Sequence, residues 1–198
     1  MEILKKILIG IAIYAVSLLF LDQIMAFDQQ LFLIINSLTN PLLDSVFVFI
    51  TYLGSSVFWI LAVMLLWING KRKASVYLVI AFIIDTLSLF FLKFLFSRPR
   101  PFESLSDLDF LSLEMDLGPS FPSGHTQRAF SGAVVLGSFY KKFSKLFFAL
   151  ALLVGISRIY IGVHYPFDIL SGSINGFLIG SIVMALPIKK IAKKIKLI

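Results

Sequence analysis

Six apolar runs, each near the length of a membrane-crossing helix, restrict what this chain can fold into. A helix needs about 20 mostly apolar residues to cross the hydrocarbon core of a bilayer. Hydrophobic residues make up 59% of the sequence, against roughly 45–50% in soluble domains. The predicted spans are residues 6–25, 52–69, 74–96, 123–140, 145–163 and 167–187. We therefore predict an all-α integral membrane protein, a six-transmembrane-helix bundle that forms a single domain over residues 1–198.

The segment between the first two spans, residues 27–51, mixes polar and apolar side chains. It predicts an amphipathic interfacial helix on the outer surface, followed by an early start to the second span. The first apolar run follows Lys5 and Lys6, as in a signal peptide, but no small-residue cleavage site comes after it. We therefore predict that this run is a retained anchor.

Basic residues predict the orientation of the bundle. The net charge is +7, and thirteen of the 18 lysine and arginine residues fall in four clusters that flank apolar runs. The clusters are Lys5/Lys6, Lys71/Arg72/Lys73, Lys141/Lys142/Lys145 and Lys189/Lys190/Lys193/Lys194/Lys196. Such clusters mark cytoplasmic ends, so both termini are predicted to be cytoplasmic in a multi-pass protein of the cell membrane. A nucleic-acid partner is disfavoured because it requires a continuous basic face.

The other five cations and both histidines fall on the opposite, extracytoplasmic side of the predicted bundle. They are Lys93, Arg98, Arg100, Arg128, Arg158, His125 and His164. Any one of these cations could be an interfacial anchor. Together with two histidines, which can attack or move protons near neutral pH, they indicate chemistry on a phosphate group.

Residues 97–122 form the only long polar loop of the predicted topology. Its carboxylates are Glu103, Asp107, Asp109, Glu114 and Asp116. We interpret this loop as a solvated segment that partly covers the site. Paired carboxylates for a metal or for glycosidase-type catalysis are the weaker alternative, since their spacing matches no calcium loop. The chain has no cysteine, which excludes a thiolate metal site and disulfides, and no cofactor is expected.

The segment Pro122-Ser123-Gly124-His125 predicts an anion-binding helix start. Serine is a good helix cap, and the first amides of a helix point outward toward an anion. The backbone amides of Ser123, Gly124 and His125 are therefore expected to face a phosphate. His125 would then lie beside it, placed to protonate a leaving group, although a lone histidine at a helix start can also be a simple interfacial residue.

Two further segments complete the candidate site. Lys93 ends the third predicted span and Arg100 follows in the loop, where the arginine could grip phosphate oxygens with two donors. Arg158 closes the fifth span, and His164 lies just before the helix that Pro166 begins. Asp168, in the first turn of that helix, could accept a hydrogen bond from one imidazole nitrogen and leave the other free to attack. An ordinary capping role for Asp168 is the alternative.

These segments resemble the three signatures of the type 2 phosphatidic acid phosphatase superfamily, in order and at the family's spacing. The matching residues are Lys93 and Arg100-Pro101; Pro122-Ser-Gly-His125; and Ser157-Arg158, His164 and Asp168. The resemblance covers roughly residues 28–185 and implies a six-helix bundle with metal-independent phosphohydrolase chemistry through a phosphohistidine. By matching position, His164 would be the nucleophile, Asp168 its orienting partner and His125 the general acid and then base. The phosphate would be bound by Lys93, Arg100, Ser123, Gly124 and Arg158.

The function expected from this resemblance is a lipid phosphate or pyrophosphate phosphatase at the extracytoplasmic face, with membrane lipids as substrate. A polyprenyl pyrophosphate is favoured because the chain is small and carries no added headgroup-binding domain. Phosphatidic acid, phosphatidylglycerol phosphate and lipid A phosphates stay open as substrates, as does transfer to a lipid hydroxyl instead of water. A non-catalytic lipid binder or transporter is disfavoured, because binding alone requires no pair of nucleophile and orienting carboxylate. The oligomeric state is left open.

Three residues near the predicted site lie outside the signatures. For Arg98 and Arg128 we favour interfacial anchoring over binding of a second phosphate. Asp85 lies inside the third span, where carboxylates often serve function. A pair with Arg128, a hydrogen bond within the bundle and a substrate role are all open for it.

Overall fold

A computed structural model describes residues 21–105, 111 and 118–187, and this part of the chain contains helices and no strand. The helices are α1 Leu21–Asn36, α2 Pro41–Tyr52, α3 Ser56–Ile68, α4 Arg72–Phe96, the short α5 Pro101–Ser104, α6 Gly124–Phe139, α7 Ser144–Tyr160 and α8 Pro166–Ala185. A 3₁₀ turn, Lys141–Phe143, precedes α7. The all-helical class predicted from the sequence is confirmed for these residues.

The apolar lengths of the helices agree with a membrane protein. Within the described ranges, α4, α7 with its preceding 3₁₀ turn, and α8 are long and apolar enough to cross a bilayer. The pair α1 and α2, bent by 118°, would make a fourth crossing if counted as one span, and α3 is apolar but shorter. The six-span count stays a prediction, and residues 6–20 of the first predicted span lie outside the described residues.

The N-terminal half differs in detail from the predicted boundaries. One helix, α1, runs through residues 25–27, where the first span was expected to end. The predicted second span, residues 52–69, is interrupted: α2 ends at Tyr52 and α3 begins at Ser56. Asn40 and Ser55 cap the two helices by accepting hydrogen bonds from the amides of Leu43 and Phe58, each at 3.1 Å. Residues 27–51 thus belong to two helices joined at a sharp bend, and their interfacial position stays a prediction.

Helix α6 lies at the centre of the bundle, packed against α4, α7 and α8. A stripe of glycines on α8, Gly172, Gly176 and Gly180, faces it. A Cβ built on Gly172 would lie 2.6 Å from the Ser123 carbonyl oxygen, and one on Gly176 would overlap that of Gln127. The missing side chains let the two backbones approach closely, as in small-residue contacts between membrane helices. This contact sets the N-terminal ends of α6 and α8 side by side.

The outer faces of the helices are apolar and the interior holds polar groups. Large side chains more than half exposed on α4 include Leu87, Phe90, Phe91 and Phe94. Inside, Asp85 of α4 accepts hydrogen bonds from Gln127 Nε2 at 3.2 Å and from the Ser131 hydroxyl, and all three residues are buried. Of the roles left open for Asp85, the structure shows the hydrogen bond within the bundle. Apolar surface outside and hydrogen-bonded polar side chains such as Asp85 inside suit hydrocarbon as the solvent.

Candidate active site

The start of α6 is built as the sequence predicts, with one difference. Ser123 is the N-cap, and its hydroxyl accepts hydrogen bonds from the Thr126 amide at 3.5 Å and the Thr126 hydroxyl at 3.0 Å. Gly124 and His125 occupy the first turn, where helix amides point outward. The Ser123 amide, however, donates to the Asp168 carbonyl oxygen at 3.1 Å, so the expectation that it faces a phosphate does not hold in this structure. That hydrogen bond instead ties the two signature segments together.

The turn between α7 and α8 places His164 next to Asp168. Gly162, with φ of 86°, lets the chain reverse after α7, and the amides of Val163 and His164 both donate to the Arg158 carbonyl at 3.2 Å. The His164 ring is 1% exposed and its Nδ1 lies 3.4 Å from Oδ2 of Asp168. That carboxylate also accepts the Tyr165 amide at 2.9 Å, so Asp168 caps the start of α8 while it lies against the imidazole.

Ser120 is a member of the site that the sequence reasoning missed. Its hydroxyl lies 3.2 Å from His164 Nδ1 and donates to Asp168 Oδ2. The hydroxyl thus bridges imidazole and carboxylate, and the whole residue is buried. Its position three residues before Ser123 was the only available signal, because serine in a proline-rich loop is otherwise typical of turns.

The predicted phosphate-binding cations converge on the same place. Arg100 Nη1 lies 3.5 Å from His164 Nε2 and donates to the Val163 carbonyl at 3.1 Å, while its Nε donates to Gly118 at 2.8 Å. Lys93 Nζ donates to the Pro119 carbonyl. The two cations therefore also hold the segment that carries Ser120.

Arg158 reaches the site from the last turn of α7. It is 3% exposed, and its Nη1 donates to the Thr51 hydroxyl at 2.8 Å. Thr51 lies near the end of α2, so the break between α2 and α3 approaches the site from one side.

Burial and charge control the protonation of His164. Removal from water lowers its pKa to about 4, and the positive charges of Arg158 and Arg100 act in the same direction. The Asp168 carboxylate opposes both effects but does not overcome them. His164 is therefore a neutral imidazole at ordinary pH, with Nδ1 toward Asp168 and Ser120 and Nε2 toward Arg100. A neutral ring whose second nitrogen faces a cation-lined position is suited to nucleophilic attack.

The two cations outside the signatures have defined contacts. Arg98, expected to anchor at the interface, forms ion pairs with Asp28 and Asp168, and its side chain is only 14% exposed. The interfacial-anchor prediction for Arg98 is therefore wrong. Arg128 Nε donates to the Gly54 carbonyl at 3.2 Å. A Cβ on Gly124 would lie 3.5 Å from the Arg128 guanidinium, so this charge lies over the start of α6.

The carboxylates of the long loop are only partly described. Glu103 accepts the Arg100 amide at 2.8 Å, closing the first turn of α5 and orienting Arg100. The other four, Asp107, Asp109, Glu114 and Asp116, lie outside the described residues. Among residues 21–105, 111 and 118–187, no three histidine or acidic side chains are arranged to hold a metal ion.

Comparisons with known proteins identify the family. Residues 74–192 match the model of the PAP2 superfamily. The chain is 32% identical to the undecaprenyl-diphosphatase of Sulfolobus acidocaldarius over 181 residues, which are 88% of this chain and 87% of that one. Its structure resembles that of Aquifex aeolicus LpxE, with a TM-score of 0.72 and 36% identity over 79% of this chain and 94% of that one.

A second solved structure agrees. The transmembrane PAP2 type phosphatidylglycerolphosphate phosphatase of Bacillus subtilis matches with a TM-score of 0.70 and 26% identity, over 88% of this chain and 94% of that one. The names of two of these relatives differ in the substrate, which is undecaprenyl diphosphate in one and phosphatidylglycerolphosphate in the other. The chain belongs to the PAP2 superfamily, as a membrane hydrolase that acts on lipid phosphates.

Proposed function

We propose that this phosphatase removes a phosphate from a polyprenyl pyrophosphate through a phosphohistidine on His164, at the extracytoplasmic face. The observation that carries the mechanism is the environment of this one ring. Its Nδ1 is next to Asp168 and Ser120, and its Nε2 is 3.5 Å from Arg100. The attacking nitrogen and a cation able to bind phosphate thus lie side by side.

In the first half-reaction, the His164 Nε2 lone pair attacks the terminal phosphorus. The bond between phosphorus and the leaving oxygen breaks, and His125 donates its proton to that oxygen. Lys93, Arg100 and Arg158 neutralise the charge on the non-bridging oxygens, with the amides of Gly124 and His125 as further donors. Ser123 contributes by capping α6 and by the hydrogen bond that its amide donates to the Asp168 carbonyl oxygen. The products are a lipid monophosphate and phosphohistidine.

In the second half-reaction, water attacks the same phosphorus. His125, now neutral, takes a proton from that water, and the bond between phosphorus and Nε2 breaks to release inorganic phosphate. Each proton donated in the first step is thus recovered in the second, and His164 returns to its neutral form. Asp168 holds the Nδ1 proton and stabilises the positive charge of the ring while phosphorus is attached.

The substrate preference is supported by the relatives. The undecaprenyl-diphosphatase of Sulfolobus acidocaldarius aligns with nearly the whole chain. The phosphatidylglycerolphosphate phosphatase of Bacillus subtilis represents a competing lipid headgroup.

Phosphate release from purified protein tests this proposal. We expect the highest kcat/KM on undecaprenyl pyrophosphate, compared with phosphatidic acid, phosphatidylglycerol phosphate and lipid A in the same detergent. The variant His164→Ala should lose more than about a thousandfold in kcat on every substrate, because the nucleophile is gone. Ser138→Ala, an exposed change near the far end of α6, is the matched control and should behave as wild type. A clear preference for a glycerolipid monophosphate would contradict the substrate assignment.

A further inference from the structure

Asp28 of α1 is a buried carboxylate that lies outside both the three signatures and the segment matching the family model. Its side chain is fully inaccessible to solvent. One oxygen, Oδ1, accepts the Phe167 amide at 2.9 Å, in the first turn of α8. The other, Oδ2, accepts Arg98 Nη2 at 2.6 Å. Asp28 thus connects α1 to the turn that carries Asp168.

Arg98 lies between two buried carboxylates. While Nη2 binds Asp28, Nη1 donates to Oδ1 of Asp168 at 2.8 Å. The centre of the guanidinium also lies 3.9 Å from the centroid of the Tyr165 ring, within cation–π range. These three contacts come from α1, from α8 and from the turn before α8, and they restrict the planar group to one orientation.

The two oxygens of Asp168 therefore have separate partners. Oδ2 faces His164, Ser120 and the Tyr165 amide, whereas Oδ1 accepts a hydrogen bond from Arg98. Rotation of the carboxylate away from the imidazole would break the charged hydrogen bond to Arg98. Such bonds are roughly twice as strong as neutral ones. Arg98 thus fixes the plane of the carboxylate that orients the nucleophile.

Charge balance explains why Asp28 accompanies Arg98. A buried guanidinium paired with Asp168 alone would neutralise the charge that stabilises a positive His164 ring. Asp28 supplies a second negative charge, so the group of Asp28, Arg98 and Asp168 keeps a net charge of −1 facing the imidazole. Removing Asp28 would leave that group neutral.

We propose that Asp28 and Arg98 are positioning residues for phosphohistidine formation. Asp28 fixes and neutralises Arg98, and Arg98 holds the Asp168 carboxylate so that Oδ2 remains against His164 Nδ1. This inference rests on the proposed role of His164 as nucleophile. It assigns a function to α1, which the sequence signatures do not include.

The test compares Asp28→Asn, Arg98→Gln and the double variant with wild type. In metal sites, mutating the residues that hydrogen-bond to a ligating histidine lowers metal affinity or activity about 10–100-fold, and we take this as the scale for partners of His164. We expect each single variant to lower kcat by about that factor, with KM changed less than about twofold. The double variant should be no slower than Arg98→Gln alone, because both changes interrupt one pathway. The rate of phosphoenzyme formation in a single turnover should fall in parallel with kcat.

A matched control makes the same chemical change elsewhere. Asp44 of α2 accepts a hydrogen bond from the Tyr160 hydroxyl at 2.7 Å and, within the described residues, does not contact the site, so Asp44→Asn should keep the wild-type kcat.

The pH profile supplies a second readout, which a loss of stability alone would not change. Arg98→Gln removes a positive charge near His164 and should shift the acid limb of kcat/KM upward, whereas Asp28→Asn should not.

Several outcomes overturn the inference. It fails if Asp28→Asn and Arg98→Gln lower only the melting temperature while kcat per folded enzyme stays at wild type. Should Asp28→Asn not fold, Arg98→Lys decides, because it keeps the charge but loses the two-pronged geometry; a wild-type kcat there would sink the proposal. Activity retained by His164→Ala would instead refute the proposed function, whatever the Asp28 and Arg98 variants show.

Discussion

At the scale of single residues, the two histidines differ in what surrounds them. His164 is enclosed by Asp168, Ser120 and Arg100, and its lowered pKa keeps it neutral. His125 lies in the first turn of α6, is 7% exposed and is near the positive charges of Arg158 and Arg128. Attack by His164 and proton transfer by His125 are the roles proposed for them.

The pH dependence of kcat/KM tests this division, because it reports the ionisation of free enzyme and free substrate. His164 attacks as the neutral base, so its contribution is complete above its pKa of about 4 and is lost as pH falls through that value. His125 must be protonated, so activity should also fall on the alkaline side. We expect a maximum whose acid limb lies well below the ordinary histidine value of 6.5.

The titration of the substrate phosphate, measured separately by ³¹P NMR, is the control for this profile. The charged groups facing His164 are Asp168, Arg158 and Arg100. The pH profile is therefore measured on protein in which these three residues are unchanged. An enzyme-derived acid limb near pH 6.5 would show that His164 is not held neutral by burial. A rate rising steadily through the alkaline range would contradict the role of His125.

Residue types and spacing were sufficient to predict which signature side chains meet, but not how each is supported. His164 and Asp168 are four residues apart across the start of α8, and this spacing predicts that their side chains lie close together. Ser120, Arg98 and Asp28 could not be found in this way, since their partners are 44 to 139 residues away along the chain. Contacts of that range depend on how the helices pack, which no local pattern encodes.

At the scale of helices, the contact between α6 and α8 aligns the two halves of the site. The glycine stripe on α8 brings its backbone against Ser123 and Gln127 of α6. The hydrogen bond from the Ser123 amide to the Asp168 carbonyl depends on this approach. The distance between His125 and His164 is thus set by glycines that take no part in the chemistry.

The variant Gly176→Ala tests this dependence. Its Cβ would overlap the Gln127 carbonyl of α6, so the helices must separate. Overpacking of this kind costs about 1–3 kcal/mol, and we expect lower thermal stability in detergent together with reduced kcat. Leu178→Ala, on the exposed face of the same helix, is the control and should change neither. A fully active and stable Gly176→Ala protein would show that the close contact is unnecessary.

The positions of α4, α6, α7 and α8 followed from the lengths of the apolar runs, with proline and serine at the starts of α6 and α8. The interruption between α2 and α3 did not, because the predicted span 52–69 ran across Leu53-Gly54-Ser55. Its cause is tertiary. A Cβ on Gly54 would lie 2.8 Å from that of His125, and the Gly54 carbonyl binds Arg128. The chain must break there to lie against the start of α6.

At the scale of the whole molecule, charge is distributed unevenly between the two ends of the bundle. The described basic loops at Lys71–Lys73 and Lys141–Lys142 lie at the opposite ends of α4 and α7 from Lys93 and Arg158. By the positive-inside rule, this distribution supports the proposal that the site lies outside the cytoplasm.

Cysteine labelling tests this orientation on a clean background, because the chain contains no cysteine. Two exposed residues are replaced by cysteine in separate variants. Ser104→Cys labels the end of the bundle that carries the candidate active site, and Lys142→Cys labels the opposite end. A membrane-impermeant maleimide should label the first in intact cells and the second only after permeabilisation. The reverse pattern would place the active site in the cytoplasm.

The central claim, attack by His164 on phosphorus, is tested most directly by trapping the intermediate. Substrate labelled with ³²P in the terminal phosphate is mixed with excess enzyme and quenched in alkali after a single turnover. The account predicts label on the peptide containing His164, formed as fast as the leaving lipid appears and absent from His164→Ala. Label on another residue, or complete turnover without any labelled protein at the earliest times, would contradict it.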